Sequence, residues 1–159
     1  MSGNFFKSSI GRKYVMAITG LGFSLFVLTH MAGNLLLFVG PKAYNTYAHV
    51  LTSNPLIYAA ELGLVALFLG HVGMGIKLSF ENFRSRESRY AAGGTSGEKK
   101  PGFASNAMIF HGLILAVFIV LHVGQFKYGT HYDTVVDGVK MRDLFKLVVE
   151  SFQQTGFLV

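Results

Sequence analysis

Three long apolar stretches separated by polar segments dominate the pattern of this chain. Residues 14–39 and 107–126 carry no formal charge, and residues 56–76 contain a single acid, Glu61. Each stretch reaches the roughly 20 residues that an α-helix needs to cross about 30 Å of hydrocarbon. All three prolines lie outside these stretches, as uninterrupted helices require. The pattern predicts an all-α integral membrane protein, with residues 1–159 forming a single bundle of transmembrane helices.

The polar segments between these spans predict connections at the two membrane surfaces. Gly40 and Pro41 end the first span, because glycine followed by proline interrupts a helix. Residues 81–106 form a polar, glycine-containing loop between the second and third spans. Residues 128–139 are predicted as an exposed loop. The amphipathic sequence that follows predicts the start of a further helix near residues 143–159, which we expect to continue beyond the last residue.

The basic residues lie at the ends of the spans and predict the orientation of the chain. The sequence carries a net charge of +6. Basic residues precede the first span and crowd the loop between the second and third, whereas the first connecting loop contains only Lys42. The positive-inside rule then places the N-terminus of a multi-pass protein in the cytoplasm. Because these charges flank apolar spans and form no single stripe, the pattern argues against nucleic acid as a partner.

Histidines lie inside all three spans, at His30, His71 and His122. An ionisable ring at membrane depth is costly and is usually retained for function, and histidine is a common axial ligand of haem iron. At a rise of about 1.5 Å per residue, His30 and His122 fall in the outer half of the membrane and His71 in the inner half. The pattern predicts a haem b site with His30 and His122 as iron ligands, and a further ligand position at His71.

The inner position lacks an obvious second ligand. His111 is one candidate, since it lies eleven residues before His122 and therefore on the same helix face; a histidine on a later helix is the other. Histidines that only form interhelical hydrogen bonds are the structural alternative, and metal transport is a weaker one. The chain has no cysteine, so any haem is held non-covalently and any iron–sulfur cluster belongs to a partner.

Two further residues are candidates on weaker grounds. Gly33 follows His30 by three residues, where a missing side chain leaves room for a flat macrocycle; close helix packing in lipid is the alternative. Glu61 is the only acid within a span and is a candidate for handling protons near an outer redox site. A paired or protonated structural carboxyl is the alternative for Glu61.

Several short motifs of this chain resemble those of one known family of membrane proteins. The motifs are Thr29-His30-Met31-Ala32-Gly33-Asn34-Leu35, then Gly40-Pro41-Lys42-Ala43-Tyr44-Asn45-Thr46-Tyr47-Ala48, then Leu69-Gly70-His71, and finally the stretch from Met108 through His122 to Phe126. As a set they resemble the dihaem, cytochrome b558-type membrane anchor of succinate dehydrogenase and fumarate reductase, and the similarity covers nearly the whole chain.

This resemblance implies a single-polypeptide anchor with five membrane helices and two b haems in a bacterial inner membrane. His30 and His122 match the ligands of the outer haem, and His71 matches one ligand of the inner haem; the fourth ligand would lie on a helix beyond Val159. The resemblance also implies a flavoprotein and an iron–sulfur protein as partners on the cytoplasmic face. Electrons from succinate would reach a quinone, usually menaquinone, or flow in reverse toward fumarate.

Two other functions are open on the sequence. The first alternative is the cytochrome b anchor of a different membrane dehydrogenase, of the hydrogenase or formate dehydrogenase type. The second is a non-redox membrane scaffold. The protein that co-purifies with the chain distinguishes the succinate dehydrogenase type of anchor from the hydrogenase or formate dehydrogenase type. An absence of haem absorbance would favour the scaffold.

Overall fold

The computed structural model describes residues 8–84 and 103–154. Within these ranges it contains five α-helices, one short 3-10 turn and one two-stranded antiparallel sheet. In chain order the elements are α1 (Ser9–Asn34), the 3-10 turn (Leu35–Phe38), α2 (Pro41–Ser53), α3 (Leu56–Arg84), α4 (Phe103–Phe126), β1 (Asp133–Val136), β2 (Val139–Arg142) and α5 (Leu144–Gln153).

Three of the described helical segments are long and apolar enough to cross a membrane. They are Ile10–Phe38, Leu56–Glu81 and Ala107–Phe126, and most of their large apolar side chains are exposed on the surface of the structure. Apolar surface of this extent and length is stable in lipid and not in water. The prediction of a helical, membrane-embedded protein with these three spans is confirmed, and helix α3 continues beyond the predicted span.

Helices α1 and α3 form a close pair, whereas α4 is not closely packed against either of them in the described part of the chain. A methyl group built on Gly22 of α1 would lie 3.1 Å from Leu67 Cδ1 of α3, so glycine is what permits this approach. An ion pair between Arg12 and Glu81 joins the two helices at the end where α1 begins. The bundle therefore consists of one tight helix pair and one helix held further away.

Helices α2 and α5 and the β1–β2 hairpin pack together at one end of the bundle, and we call this unit the cap. The cap corrects two predictions, since the first connection contains helix α2 and residues 128–139, predicted as a loop, include strand β1. It also adds a small sheet to a fold predicted as all α. The helix predicted after Asp143 is present as α5, while residues 155–159 lie outside the described residues.

The cap elements follow from local sequence. Pro41 occupies the first turn of α2, where its missing N–H costs nothing, and Gly40 before it has a φ of 130° that favours glycine. Asp137 and Gly138 have φ values of 51° and 80° and join β1 to β2. Two consecutive residues with positive φ form the tight turn that suits the twist of an antiparallel hairpin.

A buried asparagine joins the two helices of the cap. Asn45 is 2 % exposed. Its Nδ2 donates to Asp143 Oδ1 at 2.9 Å, and its Oδ1 accepts from the backbone N–H of Phe145 at 2.9 Å. Tyr44 next to it donates from its hydroxyl to Asn34 Oδ1 at 2.8 Å. These bonds fix α2 both to the start of α5 and to the end of α1.

The carboxyl group of Asp133 provides a test of the hairpin. Its hydrogen bond from Lys140 across the two strands, at 3.0 Å from Nζ to Oδ2, holds the pKa of Asp133 below its usual value of 3.8. Because the pKa of Asp133 is lowered, its carboxylate stays charged as the pH falls to 3.8, and the ion pair with Lys140 is lost at a lower pH. We expect the Asp133 carboxyl resonance to titrate at higher pH in Lys140→Met and to stay unchanged in the control Lys146→Met. Identical titrations of Asp133 in the wild type, Lys140→Met and Lys146→Met would contradict the pairing of Asp133 with Lys140.

Candidate functional site

Two histidines from different spans face each other near the cap. His30 lies four residues before the end of α1, and His122 lies four residues before the end of α4. Their ring centres are 5.9 Å apart, with the ring planes at 79°. The depth calculated from the sequence predicted that these two rings share one level, and the structure brings them together there. We call them the histidine pair.

Phenylalanine rings surround the histidine pair. The His30 ring stacks on Phe26 with centres 5.3 Å apart, and the His122 ring stacks on Phe118 at 5.2 Å. Phe126 lies against the His122 ring at 4.9 Å. Within the described ranges no group of three or more histidine, aspartate or glutamate side chains is placed to hold a metal ion. The site thus offers two imidazoles in an apolar, aromatic setting.

His71 lies at a second level, on the side of α3 that meets α1. Its Nδ1 is 2.8 Å from the hydroxyl oxygen of Thr19, and its ring meets Phe23 edge-on at 5.7 Å. Thr19 precedes His30 by eleven residues on α1, which separates the two levels by about 16 Å along the helix. No second histidine ring from the described residues contacts His71.

His111 lies on α4 at about the level of His71, because it precedes His122 by the same eleven residues that separate Thr19 from His30. Its side chain is exposed, and its ring contact is with the neighbouring Phe110 at 6.3 Å. The structure therefore does not bring His111 into contact with His71. Its role as a ligand stays a prediction.

The surface over Gly33 is taken by a side chain of the cap. A methyl group built on Gly33 would lie 2.5 Å from Tyr47 Oη and 2.7 Å from Tyr47 Cε1. Real carbon atoms do not approach so closely, so the position of Tyr47 depends on glycine here. This contact favours helix packing as the role of Gly33, the alternative to an open face for a macrocycle.

Glu61 is paired with a lysine that follows the third span. The Nζ of Lys127 is 2.5 Å from Oε1 of Glu61, and the two side chains are 42 % and 40 % exposed. The hydrogen bond to Glu61 raises the pKa of Lys127, so the Lys127 ammonium is charged at neutral pH and loses its proton above its usual pKa of 10.5. The pair joins α3 to the end of α4, five residues beyond His122, at the same end of the bundle as the histidine pair.

Sequence reasoning missed the partners of these candidate residues. Thr19 and Lys127 carried a usable signal, since a hydroxyl within a span and a cation directly after a span both need a polar contact. Which group they contact depends on how the helices are rotated, and the sequence does not state that. Tyr47 carried no signal, because its segment was predicted as a loop.

Comparison with protein-family models found no match for this chain. Comparisons with characterised proteins and with solved structures likewise found none. A function for this chain is therefore assigned from the histidine pair, its surroundings and the motifs of the sequence.

Proposed function

We propose that this chain is a haem b-binding membrane anchor of a succinate:quinone oxidoreductase. In this role it passes electrons between flavoprotein and iron–sulfur partner subunits and a membrane quinone such as menaquinone, while the succinate site belongs to the flavoprotein. We further propose that the chain lies in a bacterial inner membrane, with its N-terminus in the cytoplasm and its cap outside. The observation that carries the proposal is the histidine pair, His30 and His122.

The distance between the two rings fits an iron held between them. His30 and His122 would each hold a haem iron through a ring nitrogen, and metal–nitrogen bonds of about 2 Å would be compatible with ring centres roughly 6 Å apart. The observed separation is 5.9 Å. No hydrogen bond joins the two rings among the described contacts, whereas the structural alternative requires one. The spacing therefore supports a ligand pair, and edge-to-face packing of two rings falls in the same range of distances.

The position of α4 supports the same conclusion. Packed helices approach to 8–10 Å, and α1 and α3 are a close pair of this kind, while α4 is not closely packed on either in the described ranges. At the level of the histidine pair, the rings of His30 and His122 connect α1 to α4. A planar macrocycle needs space of this kind between two helices that each supply one ligand.

Haem b, when bound, supplies one-electron chemistry between the iron–sulfur partner and the quinone. His30 and His122 each contribute an imidazole lone pair at the level near the cap. Their stacking on Phe26 and Phe118 restricts the orientation of the two imidazole rings. His71 offers a third imidazole at the second level.

The distribution of charge supports docking of the partner subunits at the end opposite the cap. The described lysines at the cap end form ion pairs with acids, namely Lys42 with Asp137, Lys127 with Glu61, Lys140 with Asp133 and Lys146 with Glu150. At the other end Lys13, Lys77 and Arg84 are exposed. Exposed cations next to a span are characteristic of the cytoplasmic side, where the partners would bind.

Glu61 is proposed to accept and release protons during quinone turnover, at the same end of the bundle as the histidine pair. We expect Glu61→Gln to lower the rate of quinone reduction in membranes roughly 10²-fold, the lower end of what a positioned acid–base group contributes. Haem content stays the same, because the substitution removes no iron ligand. Glu150→Gln, which removes another lysine-paired carboxylate of the cap end, is the matched control. Equal rates in both variants would leave Glu61 as the ion-pair partner of Lys127 alone.

The haem-to-polypeptide ratio of the complex purified from native membranes tests the function as a whole. Two b haems per chain support a dihaem anchor, one haem supports the histidine pair alone, and no haem overturns the proposal in favour of a membrane scaffold. The co-purifying subunit then identifies the enzyme. A flavoprotein supports the proposal, whereas a dehydrogenase with its own metal centre indicates the hydrogenase or formate dehydrogenase type of anchor.

A further inference from the structure

The contact between His71 and Thr19 is the one polar contact described for the His71 ring. Thr19 Oγ1 lies 2.8 Å from His71 Nδ1. The same hydroxyl oxygen lies 2.7 Å from the carbonyl oxygen of Val15 and 3.2 Å from that of Met16, both on its own helix. The ring is further restricted by Phe23, which meets it edge-on at 5.7 Å.

The direction of the Thr19 O–H bond determines which ring nitrogen of His71 carries a proton and which carries a lone pair. A threonine hydroxyl has a single proton to donate. The distance of 2.7 Å to the Val15 carbonyl is typical of an O–H···O hydrogen bond, so the proton points along the helix. The Thr19 oxygen then accepts from Nδ1–H of His71. In this neutral tautomer Nε2 of His71 carries the lone pair that binds a metal.

We propose that Thr19 is a positioning residue that fixes the tautomer and orientation of His71 so that Nε2 is presented to haem iron. The inference rests on the proposed function, because it names a partner for one of the proposed ligands. Histidines that bind metals usually donate their other ring N–H to an oxygen, and this bond makes the ligand more basic. A more basic ligand stabilises the ferric state, so the hydrogen bond to Thr19 lowers the reduction potential.

The competing interpretation is an ordinary interhelical hydrogen bond that joins α1 to α3. The two interpretations differ in what the loss of the hydroxyl does. Loss of a packing bond weakens the helix pair and leaves the redox properties of a bound haem unchanged. Loss of a positioning bond changes the potential and the ferric spectrum of the haem that His71 binds.

Redox titration and low-temperature electron paramagnetic resonance of the complex in native membranes test the inference. His71→Ala identifies the haem component that depends on His71. In Thr19→Val we expect the ratio of reduced to oxidised haem of that component, at fixed potential, to rise about tenfold, which is a rise of about 59 mV for a one-electron couple. Thr19→Ser restores the original value. Ser24→Ala removes another α1 hydroxyl, bonded only to the Gly20 carbonyl, and leaves the potential unchanged.

The outcomes separate the inference from the function on which it rests. A wild-type complex without haem overturns the proposed function and the inference together. A wild-type complex with haem overturns the inference alone if His71→Ala removes no component, or if Thr19→Val leaves the potential unchanged. If Thr19→Val does not accumulate in membranes, Thr19→Cys replaces the hydroxyl with a thiol, which is a weaker acceptor. It is then expected to shift the same component in the same direction, and an unchanged potential overturns the inference.

Discussion

We expect that replacing His122 with alanine abolishes one b-haem component of the purified complex. His122 is one of two rings whose centres lie 5.9 Å apart, and alanine provides no lone pair in its place. The haem-to-polypeptide ratio, measured by pyridine haemochrome and reduced-minus-oxidised spectra, is expected to fall by one haem per chain. His30→Ala is expected to produce the same loss, because both residues of the histidine pair are needed to hold the iron between the two helices.

His131→Ala is the matched control for this loss. His131 is also a histidine of the cap end, but its side chain is 63 % exposed and pairs with Asp133 on the hairpin. Its replacement leaves the haem spectrum unchanged. Two normal haems in the His122→Ala complex would falsify the assignment of the histidine pair and return both rings to a packing role.

We expect that replacing Asn45 with alanine destabilises the cap by about 2–3 kcal/mol, because the half-buried backbone N–H of Phe145 loses its acceptor and, among the described residues, Asp143 Oδ1 keeps only the Lys146 N–H as a donor. Amide hydrogen exchange in α2 and α5 measures this loss. An opening free energy lower by that amount corresponds to exchange roughly 30- to 150-fold faster. The exchange rates of the spans α1 and α3 are expected to stay the same, since their contact does not include the cap.

Thr52→Ala is the control on the same helix. Its hydroxyl is exposed and donates to the Ala48 carbonyl one turn earlier, so its loss leaves no buried group unpaired. Exchange in α5 should match wild type in this variant. If Asn45→Ala and Thr52→Ala exchange alike, the cap is held by its apolar core and not by the asparagine.

The membrane spans were predictable because lipid imposes a simple requirement on the sequence. A helix that crosses the bilayer needs about 20 apolar residues in a row, and that requirement is visible without knowledge of tertiary contacts. The level shared by His30 and His122 followed from the same regularity, since helical rise converts position in the span into depth. What depth does not give is the rotation of each helix, and that is why the contact of His71 with Thr19 was not foreseen.

Helix α5 of the cap was predicted, whereas helix α2, the hairpin and the packing of the cap were not, because these elements are short and partly polar. Helices α2 and α5 have 13 and 10 residues, and helices of this length depend on tertiary contacts for their stability. The sequence does contain one local signal for the hairpin. Asp137 and Gly138 stand between two valines, and this pair is among the strongest local indications of a hairpin. The pairing of Asn45 with residues near Asp143 has no such local indication.

The bond between Asn45 and Asp143 also constrains how the protein is made. These residues are 98 positions apart, and two membrane spans separate them in the sequence. At a synthesis rate of about 5–20 residues per second, helix α2 waits roughly 5–20 s after its own synthesis before its partner strand and helix are made. The cap can therefore form only after the second and third spans have both been inserted across the membrane.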